Sequence, residues 1–258
     1  MKSLRWFSLL AMLLVTNVGI VSAARNPIGL DPQLTHQIAP SLIRLQPCNV
    51  LWFGDDNGNV SYLARLGLSF TQTNNPADLS AANLANYDVL VIAFTGPGEI
   101  GAHQADIAGF VAANNGLLIH QPNELGVLDY APAGFDVTIT DQCWCGNCGF
   151  NDAQIVNGAH PITSGLTDTD LPGDFDTAAN LGAGYTLLAR NVVCTNNPSL
   201  AAGGFGTGRV AFETGFAAVN SIDAGSDAFW ARLIEWLCIG SQTPTTPDTW
   251  GRVKVLYR

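Results

Sequence analysis

The sequence predicts an α/β fold with a mainly parallel sheet and helices on both of its faces. Three observations predict it. Three short apolar runs, Asn49–Gly54 (NVLWFG), Asp88–Phe94 (DVLVIAF) and Gly116–His120 (GLLIH), are uninterrupted by polar residues, as strands buried on both faces are. Segments with helical spacing alternate with these runs, which is the pattern of βαβ units. A late amphipathic stretch, Asp227–Leu237 (DAFWARLIEWL), closes the domain.

Each element has its own local reason. The first strand ends at a Gly-Asp-Asp-Asn-Gly turn, and a short helix is expected over Val60–Leu66. A second strand is expected at Leu68–Thr73 and a helix at Asp78–Asn86. After the strand at 88–94, Thr95-Gly-Pro-Gly opens a helix over about 99–114, with Ile100, Ile107, Phe110 and Val111 on one face. Val137–Thr140, Tyr185–Arg190, Ser199–Gly203 and Val210–Thr214 read as further strands, the last entered through the tight turn Gly206-Thr-Gly-Arg209. In the closing helix Phe229, Leu233, Trp236 and Leu237 line the expected buried face.

The flanks suggest export. Lys2 and Arg5 precede the apolar run 6–21, and small residues around Ala23 and Ala24 offer a cleavage site, the order of a secretory signal peptide. The run is shorter than the roughly 20 residues that span a bilayer. The expected organisation is a signal peptide at 1–24, an irregular leader at 25–47, a domain at 48–240, and a Pro/Thr linker with a basic tail at 241–258. Loss of Lys2 and Arg5 with the signal peptide takes the net charge from −10 to −12. That acidity disfavours nucleic acid and anionic membranes as partners. The expected location is secreted, periplasmic or at the cell surface, with no membrane span after cleavage. In the tail, Trp250, Val253, Leu256 and Tyr257 would share one side of a short helix, beside Arg252, Lys254 and Arg258. It reads either as a tail docked on the domain or as a sorting or partner-docking segment.

The six cysteines are Cys48, Cys143, Cys145, Cys148, Cys194 and Cys238. An even number in an exported chain favours disulfides. The knuckle Cys143-Trp-Cys-Gly-Asn-Cys148 also has CxxC spacing, open to a redox or a zinc reading. No second ligand pair stands at zinc spacing, and the segment does not open a helix after a strand, so disulfides are preferred. Cys48 precedes the first strand, and a closing helix antiparallel to the sheet returns Cys238 to the same edge. The expected bond is Cys48–Cys238, leaving Cys194 to pair with one knuckle cysteine and the other two to pair locally.

Three stretches carry a resemblance to a known family. They are Gly116-Leu-Leu-Ile-His120, Asn157-Gly-Ala-His-Pro-Ile-Thr-Ser-Gly-Leu166, and Gly206-Thr-Gly-Arg-Val-Ala-Phe212 followed by the closing helix. Together they resemble the class I glutamine amidotransferase-like superfamily, nearest to its ThuA-like branch, over residues 48–240. The resemblance implies a flavodoxin-like three-layer sandwich. It also implies a Cys nucleophile on a strand-to-helix turn, activated by a His and a carboxylate. Here the matching turn reads His120-Gln-Pro-Asn123 and the matching late strand Phe212-Glu-Thr214. The Cys–His pair is therefore missing, and glutamine hydrolysis by the family mechanism is not expected.

The remaining candidates stand at the carboxyl ends of strands, where open α/β sheets bind ligands. His120 and Glu213 are the catalytic candidates, His120 as a general base or ligand beside a carboxylate. Asp55, Asp56, Gln121, Asn123, Glu124 and Thr214 are the ligand-binding candidates. His160 is read as a turn anchor and His103 as an exposed, inert residue. No metal and no cofactor is expected. The reading is an exported pseudoenzyme that binds a carbohydrate or a cell-surface protein. The alternative is a sugar-modifying hydrolase using His120 with Asp55, Asp56 or Glu213.

Overall fold

The computed structural model describes residues 48–55, 61–120, 122, 125–142, 153–172, 177–192, 198–215 and 224–239. Asp56, Gln121, Asn123, Glu124, Cys143, Cys145, Cys148 and Cys194 lie outside these residues, as do the expected signal peptide, leader, linker and tail.

In chain order the elements are β1 (Asn49–Gly54), α1 (Ser61–Arg65), β2 (Ser69–Thr73), α2 (Ala81–Leu84), β3 (Val89–Ala93), α3 (Gln104–Ala112), β4 (Gly116–His120), β5 (Gly126–Val127), β6 (Val137–Gln142), β7 (Ala153–Ile155), β8 (Thr177–Leu181), β9 (Thr186–Asn191), β10 (Pro198–Phe205), β11 (Gly208–Glu213) and α4 (Ala224–Ile239). Eight strands form one mixed sheet in the order β2-β1-β3-β4-β11-β10-β9-β7. The first five run parallel. β10, β9 and β7 continue the sheet antiparallel. A second sheet, β5-β6-β8, is antiparallel throughout.

β1, β3 and β4 are the strands the apolar runs announce. Every residue of β3 and β4 is buried, and β1 is buried from Val50 onward. Side chains alternate across the sheet, so the runs feed two cores. Val50, Trp52, Leu118 and Ala211 pack with Tyr62 and Leu63 of α1 and with Phe229, Trp230, Leu233, Ile234 and Leu237 of α4. Leu51, Phe53, Leu90, Ile92, Leu117 and Ile119 pack on the other face with α2, α3 and the small sheet. This is an α/β sandwich.

The structure corrects the expectation in places. The helix expected over 78–86 is a 3-10 turn at Pro76–Leu79 followed by α2, broken at Ser80, which is extended. The helix expected over 99–114 begins as a 3-10 turn at Gly101–His103 before α3. On α4 the large side chain that packs inward is Trp230, fully buried, while Trp236 is only half-buried. β5, β7 and β8 have no counterpart in the sequence pattern. They are short or polar strands whose pairing comes from distant segments, such as Gln142 opposite Thr177.

Cys48 and Cys238 form a disulfide with a Cα–Cα distance of 6.1 Å. It joins the start of β1 to the last turn of α4, the pair expected from the antiparallel return of the closing helix. Among the described residues, no helix is long and apolar enough to cross a membrane.

Candidate functional site

Strand register assembles the site. Gly54 pairs with Ala93, Ala93 with His120, and His120 with Glu213. These four residues form one transverse row at the carboxyl ends of β1, β3, β4 and β11. Two members are small, and this lets the row close. Gly54 has φ +108°, and a Cβ there would stand 1.9 Å from the Ala93 carbonyl oxygen, so only glycine fits.

His120 shares its sheet face with Leu118, and Glu213 shares the same face with Ala211, by strand alternation. Parallel pairing sets the two side chains together, with His120 Nδ1 2.6 Å from Glu213 Oε2. Both residues have 0% exposure. The second carboxyl oxygen of Glu213 accepts the Gly215 backbone N–H. Burial pushes the Glu213 carboxyl above its ordinary range; the hydrogen bond and charge of His120, and then the Gly215 N–H, act in the opposite direction. Which of the two donates depends on the imidazole tautomer.

Aromatic rings enclose the imidazole. Trp52 and Trp230 meet it edge-on with centroids 5.5 Å away, and Phe94 does so at 6.1 Å. Tyr62 stacks on Trp230 at 4.2 Å and 9°. Phe94 holds its place with φ +52°, an uncommon conformation for a bulky residue. Tyr62 is buried, and burial followed by the charge of Glu213 drives its hydroxyl well above its ordinary pKa. His120 Nε2 and the Tyr62 hydroxyl have no hydrogen-bond partner among the described residues.

A carboxylate on Nδ1 is how enzymes orient a histidine base. Here the other nitrogen faces an aromatic interior rather than solvent. What the pair does in this geometry is tie β4 to β11 across the end of the sheet.

Of the other ligand-binding candidates, Asp55 and Thr214 are among the described residues. Asp55 is exposed at the end of β1, and its carbonyl accepts the Trp52 indole N–H at 3.2 Å. Thr214 is buried, with its backbone N–H donated to the Ser199 carbonyl at 3.0 Å, so its hydroxyl is not presented to solvent as a ligand contact would require. His103 is half-buried rather than exposed, 3.7 Å from Asp106. Among the described residues no three His, Cys, Asp or Glu side chains are placed to hold a metal ion.

His160 serves the turn that its motif builds. Its Nδ1 accepts the Ile162 N–H at 3.3 Å, its carbonyl accepts from Thr163 and Ser164, and its ring meets Trp236 at 5.2 Å. Burial, then Arg209, lowers its pKa. Ile162 is fully buried in the α4 core. The His-Pro-Ile-Thr stretch is thus architectural.

Sequence reasoning missed Phe94 and Trp230 as neighbours of His120, and Tyr62 as the ring stacked on Trp230. The available signal was parity: Val50 and Trp52 fall on one face of β1, and Leu118 and His120 fall on one face of β4. It becomes readable only once the strand order is known.

No family model matches this chain, and no curated protein matches it in sequence. Solved structures match in fold. A cytoplasmic protein from Salmonella typhimurium is similar with a TM-score of 0.52 and 14% identity, over 74% of this chain and 98% of that one. A protein described as ThuA-like from Bacteroides uniformis is similar with a TM-score of 0.54 and 10% identity, over 73% and 90%. The N-terminal domain of mmIFT52 is similar with a TM-score of 0.50 and 10% identity, over 76% and 99%. At such identities the likeness is one of fold alone: this chain shares an α/β fold with the protein described as ThuA-like.

Proposed function

We propose that this chain is an exported, non-catalytic binding module that keeps an amidotransferase-like scaffold without its chemistry. The observation that carries the reading is the state of His120 and Glu213. Each is wholly buried and bonded to the other beneath Trp52, Phe94 and Trp230. A general base must reach a substrate proton, and this imidazole faces only protein. The turn after β4 and the end of β11 also lack the Cys–His pair. The Cys48–Cys238 bond supports an oxidising destination, in keeping with the signal-peptide pattern at 1–24. The parallel order β2-β1-β3-β4-β11 supports a flavodoxin-like core over the 48–240 domain.

The ligand is a carbohydrate or a cell-surface protein, received at the carboxyl ends of the strands. Asp55, exposed there, and Asp56 beside it supply acceptors for hydroxyl groups. Thermal-shift titration of the chain from residue 25 onward against neutral oligosaccharides tests this. A rise in Tm that Asp55→Asn with Asp56→Asn abolishes is the expected result. A rise unchanged in that double variant would place the ligand away from the crevice and refute the assignment.

A second reading has one observation in its favour. His120 and Glu213 do converge at 2.6 Å with Nε2 unpartnered, as a sugar-modifying hydrolase built on this pair would require. Turnover separates the two readings.

A further inference from the structure

Arg209 stands at the other end of β11 from Glu213. The two share one face of the strand with Ala211, and Ala211 packs in the core that holds α4. Arg209 pairs with Gly116 at the start of β4, so it lies at the amino end of the sheet. Its Nη1 donates to the Trp236 carbonyl near the end of α4, and its guanidinium carbon lies over the Trp236 ring, 5.1 Å from the centroid. Such stacking fixes the orientation of a planar guanidinium fork.

Two further side chains close on this ring. The His160 imidazole meets it at 5.2 Å. His160 Nδ1 accepts the Ile162 N–H, and burial, then Arg209, lowers the imidazole pKa. The ring is therefore neutral at pH 7 with its proton on Nε2, a donor. Arg232 stands one helical turn before Trp236, and its guanidinium lies against Gly165, where a Cβ would be 3.8 Å from Nη2. Arg209, His160, Arg232 and Trp236 are all half-buried, held by packing yet open to solvent.

The positive charge here has no answering carboxylate. The described cations are Arg65, Arg190, Arg209 and Arg232. Arg65 is paired with Asp227, and Arg190 is bonded to Gln154. Among the described residues, Arg209 and Arg232 form no ion pair. Glu235 feels the charge of Arg232 without bonding it. In a chain of net charge −10, two guanidiniums left without a carboxylate around one indole form a donor-rich spot suited to an anion.

We propose that Arg209, His160 and Arg232, grouped around Trp236, bind an oxyanion group of an external ligand, a carboxylate or a phosphate. Arg209 makes the forked contact, His160 Nε2–H adds a donor, and Arg232 adds charge. The site lies at the opposite end of the sheet from the crevice of Asp55, so its test stands apart from the reading given above.

Nuclear magnetic resonance titration of the full chain from residue 25 tests it, reading the Trp236 indole N–H. The probes are inorganic phosphate and D-galacturonate, with sodium chloride at matched ionic strength as the reference. The expected result is a saturable shift with at least one probe; whichever saturates names the group. The midpoint should rise about tenfold in Arg209→Gln, the worth of a charge-assisted hydrogen bond. It should rise about threefold in Arg232→Gln, which removes charge at longer range. Arg232→Gln leaves the Arg209 contact with Trp236 in place, so it reads the site even where Arg209→Gln impairs folding. No saturation by either probe, a shift that sodium chloride reproduces, or an unchanged midpoint in either folded variant would overturn the proposal. Arg209 would then serve only as a cation at the carboxyl end of α4.

Discussion

Replacing His120 with Ala is expected to cost about 3–5 kcal/mol of folding free energy, because it leaves the Glu213 carboxyl buried without its partner. The loss includes a cavity between Trp52, Phe94 and Trp230, whose rings rest on the imidazole. Glu213→Ala belongs in the same range, since it also orphans the Gly215 N–H. Glu213→Gln keeps an acceptor for either neighbour and is expected to cost less than about 1.5 kcal/mol, the net worth of one hydrogen bond. The double variant His120→Leu with Glu213→Leu should be far milder than the sum of the two Ala variants, since removing both members of a buried pair removes both desolvation costs. Urea denaturation curves with unchanged slope would report these differences. The pH dependence has a definite sign. Burial raises the folded-state pKa of Glu213 above its ordinary 4.5. Its contribution to stability is thus complete below 4.5 and is lost as pH rises through the folded value. The stability advantage of the unsubstituted protein over Glu213→Gln is therefore greatest near pH 4 and shrinks toward neutrality. A constant difference across that window would contradict the assignment.

The second large effect belongs to the disulfide. Cys48 and Cys238 are separated by 190 residues, and closing a loop of that length lowers the entropy of the unfolded chain by the equivalent of about 5 kcal/mol. Cys48→Ser with Cys238→Ser is expected to lower Tm by roughly 10–20 °C for a domain of this size. The drop should fall on thermal stability without altering the far-ultraviolet circular dichroism below the transition, because both cysteines sit at the outer ends of β1 and α4. A shift of only a degree or two would mean that the unfolded chain is already compact across this span.

The sheet centre was legible in the sequence, while its margins were not. Val89–Ala93 and Gly116–His120 announce themselves because strands covered on both faces must be apolar at every position. β8, with the sequence TAANL, pairs with β6 alone among the described residues and has no such demand on its composition. Its partner β6 lies 35 residues back, at Gln142 opposite Thr177, beyond the reach of any local pattern. α4 was legible by its 3.6-residue spacing, yet that spacing points inward at Trp236 where the structure buries Trp230. Trp230 stacks on Tyr62, a contact with α1 that the helix's own sequence does not reveal.

The candidate site divides in the same way. His120 and Glu213 were readable one at a time as polar residues ending apolar strands. Their contact depends on β4 and β11 being adjacent, parallel and in register across 93 residues, which is information about topology. The aromatic enclosure that removes His120 from solvent is assembled from β1, α1, the end of β3 and α4, so it too appears only in three dimensions. The motif that most strongly carried the family resemblance, His160-Pro-Ile-Thr163, builds a turn against α4.

In the proposed reading the His120–Glu213 pair is an internal fastening without chemistry. Turnover by the purified chain, set beside its His120→Gln variant, tests this most directly. The substrates are L-glutamine, read as ammonia release, and a set of aryl glycosides, read as phenol release. The expected result is no release above buffer from either protein. Release that the unsubstituted chain sustains and His120→Gln abolishes would contradict it.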